Sequence, residues 1–323
     1  MNNKLQNTRT MRRKISRISL LLLVSSLLIS CEKMVIDEEG GQSTNNESHN
    51  VVIYIADMDA GWDGANSRAQ MQISEVCSRL QFAVYQDGSR VKYANQKIGD
   101  NGYGTFSLQL EAGTYQLLAL GHSGAGTVTT TKPEKLQFSN PSASGGTGFT
   151  DTFYYYGDID VSSDGAHVDI SMERATSMFR LKTSDVKPAN AKKFQFYYTG
   201  GSGALDATTG LGCVNSKQSV FVTLDDAQTG QPLTFEMYTF LHQESGTVTF
   251  TVTAFDDYDD VLYTKEFKNV PMKRNCITQY TGAFFTNEDI EVPEGPTIPP
   301  SNDTSSNVVY VDPEWENVFE YTY

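Results

Sequence analysis

Long stretches of leucine, alanine, glutamate and lysine are missing from this chain of 323 residues, which removes the raw material of extended amphipathic helices. No apolar run reaches the ~20 residues that a helix needs to cross a bilayer core. The longest, from Ile18 to Ile29, spans twelve positions and is broken by serines. Metal and redox motifs are missing as well. The four cysteines include no Cys-x-x-Cys pair, and His49, His122, His167 and His242 have neither His-Glu-x-x-His spacing nor a nearby cysteine. Gly210-Leu211-Gly212 lacks the third glycine and the strand-to-helix setting of a dinucleotide loop. No nucleophile motif occurs, so the chain is read as a non-enzyme without cofactors. Positive charge is scarce: 25 basic against 39 acidic residues give a net charge of -14. Such a surface repels phosphate backbones, which argues against nucleic acid as a partner.

Six of the basic residues, Lys4, Arg9, Arg12, Arg13, Lys14 and Arg17, precede the apolar run, and Leu28-Ile29-Ser30-Cys31 closes it. This is the layout of a secretory signal. Its last four residues match the bacterial lipobox, in which the cysteine thiol takes a diacylglycerol and the new amino terminus is acylated, palmitate being one such chain. Several acyl chains at about 0.8 kcal/mol per buried CH2 hold a protein on a membrane. Residues 1–30 are therefore expected to be a lipoprotein signal peptide, with Cys31 as the lipid attachment site. Without them the remaining chain holds 19 basic against 39 acidic residues, a net of -20. Residues 31–49, rich in Glu, Asp, Gly, Ser, Thr and Asn, read as a flexible tether. Within it Asp37-Glu38-Glu39 reads as solvated charge or as a surface-export signal. Cys77, Cys213 and Cys276 remain, an odd number, so at most one intrachain disulfide forms, and buried free thiols fit equally well.

From Asn50 onward the pattern has a period of two, bounded by turn residues, which predicts strands. Val51 to Ile55 opens the series. Leu80, Phe82 and Val84 alternate with Gln81, Ala83 and Tyr85, and Asp87-Gly88 supplies a tight hairpin into Val91 and Tyr93. Phe106, Leu108 and Leu110 form another strand, and the continuous run from Tyr115 to Leu120 predicts one covered on both faces. Gly121 to Thr150 reads as loop with room for one strand. Phe153 to Tyr156 and the alternation Val168, Ile170, Met172 complete a first sandwich. Near Arg174 the pattern restarts with Phe179 and Leu181, then Phe194, Phe196 and Tyr198, Val220 to Leu224, residues 234–241, and Val248, Phe250 and Val252. A short helix is expected only within 66–79. The reading is all-β, with two tandem antiparallel β-sandwich domains at 50–173 and 174–287.

Residues 288–323 differ. Five of the ten prolines fall between Pro293 and Pro313, which predicts an extended linker. Val308 to Val311 then read as strand, and Trp315, Phe319, Tyr321 and Tyr323 end the chain. Such a tail needs a sheet edge to join, in its own molecule or in a neighbour. Two other stretches invite functional readings. Asp256 to Asp260 gathers carboxylates but lacks EF-hand spacing and reads as a hairpin loop. Trp62 and Tyr154 to Tyr156 are candidate aromatic platforms for a glycan.

Several stretches together resemble the fimbrillin-type pilus proteins of Bacteroidales, in particular the lipoprotein family of minor and anchor fimbrial subunits. They are Cys77 to Tyr85, Glu111 to Leu117, Asp151 to Gly157, Met178 to Leu181, Tyr197 to Ser202, Asn269 to Asn275 and Thr278 to Gly282. The resemblance implies transthyretin-like sandwiches, a place in or at the base of a surface fimbrium and no catalytic residues. Its expected partners are other fimbrial subunits, the cell outer membrane through the lipid, and a host or bacterial surface receptor. The alternative is a stand-alone surface glycan-binding or adhesin lipoprotein. The Pro-rich extension with its aromatic end has no counterpart in the resemblance.

Overall fold

A computed structural model describes residues 50–55, 73–139, 148–286 and 315–323. Cys31, Trp62 and Val308 to Val311 lie outside the described residues, as does the first half of the stretch, 66–79, in which the short helix is expected. What remains of that helix is one turn, Ile73–Val76. Apart from a single 3-10 turn at Asp226–Gln228, the rest of the described chain is sheet and loop, as the period-two pattern predicts.

Two sheets form the first core. In the smaller, the central strand Val51–Ile55 pairs antiparallel with Thr105–Leu108 and parallel with Ala166–Ile170. The larger runs, in spatial order, Glu173–Arg174, Thr152–Val161, Gly113–His122, Arg79–Gln86 and Ser89–Lys97. Alternation sends Val51, Ile53, Leu80, Phe82, Val84, Leu117 and Phe153 into the space between them. Asp87 and Gly88 both have positive φ, as the two-residue hairpin requires.

A second pair of sheets repeats the plan. Ser177–Thr183 pairs antiparallel with Thr234–Thr239 and parallel with Cys276–Gly282. Facing it are Gln218–Thr223, Lys193–Thr199, Ser245–Phe255 and Val261–Lys273. Phe179, Phe194, Phe196, Phe250, Phe267 and Tyr280 fill this core, with Phe179 stacked on Phe250 at 4.1 Å between ring centroids. Among the described residues, three of the ladders are parallel. Side-chain alternation is the same in both directions, so the sequence pattern does not distinguish them.

A third core joins the two halves. Ala204–Asp206 from the second half pairs with Leu136–Phe138 from the first, inside a four-stranded sheet that also holds Val128–Thr129 and Leu211–Gly212. This sheet covers the outer face of Gly113–His122: Leu117 and Ala119 point into the first core, and Leu118 and Leu120 meet Leu136, Leu205 and Phe240 in the third. The strand is thus covered on both faces, as its apolar run predicts. Among its described residues, Gly121 to Thr150 holds two short strands beyond the end of Gly113–His122, where one is expected, and both are recruited to this joining sheet.

Candidate strand-docking site

The arrangement that stands out chemically is an edge. Asn317–Thr322 adds in parallel to Cys276–Gly282, with Cys276 opposite Asn317 and Thr281 opposite Thr322. Asn317, Val318, Glu320 and Thr322 stay exposed, and side chains in and beside the strand make contacts along that edge. At its head the Trp315 ring lies over the Arg174 guanidinium at 4.0 Å and beside Tyr238. Glu316 accepts from Lys273 Nζ at 2.7 Å, and its backbone N–H donates to the Asn275 carbonyl at 2.8 Å. Gln279 donates to Glu320 at 3.0 Å. Tyr321 stacks on Tyr280 at 4.9 Å, and Tyr323 sits edge-on to Phe267 at 5.0 Å. The last contact demands a glycine: a Cβ at Gly282 would come within 2.2 Å of the Tyr323 carbonyl oxygen.

Electrostatics follow burial. Desolvation, with Tyr321 adding, pushes the Tyr280 phenol up to about 12, and burial, with Asp185 adding, raises Tyr323 further. The Cys276 thiol, which faces Glu316, is pushed up to about 11 by desolvation and then by that carboxylate. A thiol so held is protonated at neutral pH and unreactive.

Behind Trp315 the site reaches the junction of the halves. Arg174 is 1% exposed at its side chain and grips Asp151 through Nε and Nη2 at 2.9 to 3.1 Å. Its Nη1 donates to Asn275 Oδ1 at 2.6 Å. Asn275 sits at the turn before Cys276 with φ 58°, a left-handed conformation that asparagine tolerates. Asp151 also accepts from Thr176 Oγ1. Next door Arg274 ties Glu244 of the second half to Tyr154 and Glu173 of the first.

The residues singled out from the sequence are dispersed. Tyr154 is buried in the third core and Tyr155 packs on the first, while Tyr156 packs on the third. Strand alternation therefore splits these three rings between two faces, and they share no platform. Asp256 closes its own hairpin turn by accepting from Tyr258 N and Asp260 N, and no metal-holding group of His, Cys, Asp and Glu occurs among the described residues. Cys77 and Cys276 are buried free thiols, and Cys213 is an exposed one. Within the described part of the tail the strand is Asn317–Thr322. Arg174 carried no sequence signal beyond its place at the restart. The aromatic spacing Phe319, Tyr321, Tyr323 was the available clue to the terminal strand.

Several solved structures are similar to this chain at low identity. A candidate adhesin from Bacteroides ovatus is 12% identical, with 76% of this chain and 93% of that one covered at a TM-score of 0.47. The fimbrial anchor protein Mfa2 from Porphyromonas gingivalis is 13% identical, covering 68% and 82% at 0.41. A fimbrial assembly protein from Parabacteroides distasonis is 15% identical, covering 74% and 91% at 0.32. No curated protein matches the sequence. The sequence profile of the family of unknown function DUF6562 matches residues 43–319, most of the chain, and the protein belongs to that family.

Proposed function

We propose that this protein is a lipid-anchored minor or anchor subunit of a surface fimbria, held on the cell outer membrane through Cys31 and joined to other fimbrial subunits by β-strand addition. The observation that carries the reading is the terminal strand. It is a parallel edge strand, attached by a main-chain ladder and by contacts of Trp315, Glu316, Glu320, Tyr321 and Tyr323, and strand addition to a sheet edge is one way an extended segment is recognised. The repeated plan of the two halves supports it from the other side. In the second half the edge beyond Cys276–Gly282 is filled by Asn317–Thr322, whereas the corresponding Ala166–Ile170 edge of the first half pairs only with Val51–Ile55 among the described residues. One molecule thus carries a strand of the kind that is added and an edge of the kind that accepts. In this reading residues 50–173 and 174–287 are the two sandwich domains, residues 31–49 their tether to the membrane, and a surface receptor on a host or bacterial cell is the distal partner.

Shearing surface filaments from cells tests this. The wild-type chain should co-purify with the filaments, and a chain ending at Glu314 should not, while Cys31→Ser should leave the membrane fraction or accumulate as unprocessed precursor. Equal recovery of the truncated and full chains in filaments would overturn strand addition, and acyl labelling of the serine variant would overturn the anchor.

A further inference from the structure

Arg174 is bound from three sides by parts of the chain that are far apart in sequence. Asp151, at the start of Thr152–Val161, holds it in the first half, and Phe153 from that strand lies 4.7 Å from the guanidinium. Asn275, in the turn ahead of the strand-accepting edge, holds it in the second half. Trp315, at the head of the terminal strand, lies across it at 4.0 Å. The cation is therefore stacked with an aromatic ring of the sandwich body and with an aromatic ring of the tail. A ring over a desolvated guanidinium contributes most where water is kept away, and Trp gives the strongest such contact. When the strand leaves, Trp315 leaves with it. Water then reaches the buried pair, and a pair open to solvent is screened and weaker than one that is enclosed.

We propose that Arg174 couples occupancy of the strand-docking edge to closure of the junction between the halves, Trp315 being the contact that reads the strand. The coupling is reciprocal by thermodynamic necessity: whatever fixes Arg174 on Asp151 also favours the docked strand. An incoming strand is then selected for an aromatic residue at its head, and a subunit whose edge is empty has a looser junction than one whose edge is filled. This rests on the strand-addition reading for its purpose, but its physical content is a property of the single chain.

Residue-resolved hydrogen exchange on the full chain tests it in both directions. The reporters are the amides of Asn317–Thr322 for the strand, and Ala175 for the junction, whose N–H donates to the Thr152 carbonyl and takes no part in the terminal ladder. Val252 and Phe250, in the second core, serve as the reference for global opening. Trp315→Ala should speed exchange of the strand amides and also of Ala175, each by about tenfold, within the span of ordinary coupling energies. Trp315→Phe, which keeps a ring, should restore most of both. Asp151→Asn, in a residue placed against Arg174 and Thr176, should speed exchange in the terminal strand while Val252 is unchanged. If Trp315→Ala frees the strand and leaves Ala175 as in the wild type, or if Asp151→Asn leaves the strand unaltered, the coupling is refuted. Should either variant raise Val252 equally, the effect is global destabilisation and the proposal also fails. Loss of coupling in a chain that still enters filaments would sink this inference alone; coupling intact in a chain absent from filaments would sink strand addition alone.

Discussion

Replacing Tyr323 by phenylalanine should tighten the terminal strand, the reverse of what removing a hydroxyl does in most proteins. The Tyr323 ring is 9% exposed, edge-on to Phe267 and pressed against Gly282. Burying such a ring contributes about 2 kcal/mol, and the aromatic pair adds about 1 kcal/mol. Its hydroxyl, however, is buried and has no hydrogen-bond partner. An unpaired buried hydroxyl costs about 1 to 3 kcal/mol, so it cancels a good part of what the ring supplies. Phenylalanine keeps the ring and drops the cost, for a gain of about 1 kcal/mol. Alanine loses the ring as well, for a net loss of about 2 kcal/mol. The effect belongs to local docking rather than to the whole fold, because ordering each residue of the strand costs about 1 to 2 kcal/mol of backbone entropy and leaves little net stability there. The assay is therefore hydrogen exchange within Asn317–Thr322 at constant pH. Phenylalanine should slow it by about fivefold and alanine should speed it by more than tenfold. Faster exchange in the phenylalanine variant would mean that water or another group satisfies the hydroxyl, and the balance above would be wrong.

Three further outcomes follow from single residues. Gly282→Ala places a Cβ against the Tyr323 carbonyl, so the end of the terminal strand should detach: the Tyr323 amide, which donates to Thr281 O, should exchange like a free chain end while Ser177–Thr183 stays protected. Tyr85→Phe removes the buried hydrogen bond to the Thr130 carbonyl in the core that joins the halves, and urea denaturation should show a loss of about 1.5 kcal/mol with an unchanged slope. His122 is buried and accepts from Gly124 N through Nδ1, and desolvation, with Arg79 adding, lowers its imidazole to about 4. The unfolded chain takes up that proton first, so stability from this group is complete above about pH 6.5 and is lost as pH falls toward 4; His122→Gln should flatten the acid limb by up to about 3 kcal/mol.

The division of this chain into strands was legible because one rule, alternation with a period of two, governs every two-layer sandwich. Val51 to Ile55, Leu80 to Tyr85, Phe194 to Tyr198 and Val248 to Val252 all lie where that rule puts them. The run from Tyr115 to Leu120 even announced that a second layer would cover its outer face. What the rule could not supply was partnership. Leu136–Phe138 and Ala204–Asp206 are only three residues each, too short to show a period, and they form a strand pair solely because they meet across the junction. The docking site was hidden for a related reason. Arg174 looks like any charge at a strand end until Asp151, Asn275 and Trp315 are brought around it from 23, 101 and 141 positions away. In the tail, Asn317–Thr322 is held by what Tyr321 and the adjacent Tyr323 touch, which propensity alone does not show.

Why one edge takes a strand while others have none among the described residues is answered by what each edge displays. Ser89–Lys97 closes one side of the five-stranded sheet with none of its residues buried; Lys92 and Lys97 are exposed along it, and a charged edge resists casual pairing. Val261–Lys273 closes another sheet and carries Pro271, which has no N–H to offer an incoming strand. Cys276–Gly282 is different. All of its residues but Thr281 are buried with the terminal strand in place, its Gln279 meets Glu320 while Lys273, at the end of the preceding strand, meets Glu316, and its glycine clears the way for Tyr323. Left empty, it would present an unpaired row of amides, the kind of edge that aggregates. An edge of that composition is tolerable only with a dedicated strand at hand, and the dedicated strand is recognised here by an aromatic and a carboxylate at its head, a second carboxylate four residues on, and two tyrosines that close it. The selectivity lies in these side-chain contacts, because the main-chain ladder would accept any extended segment.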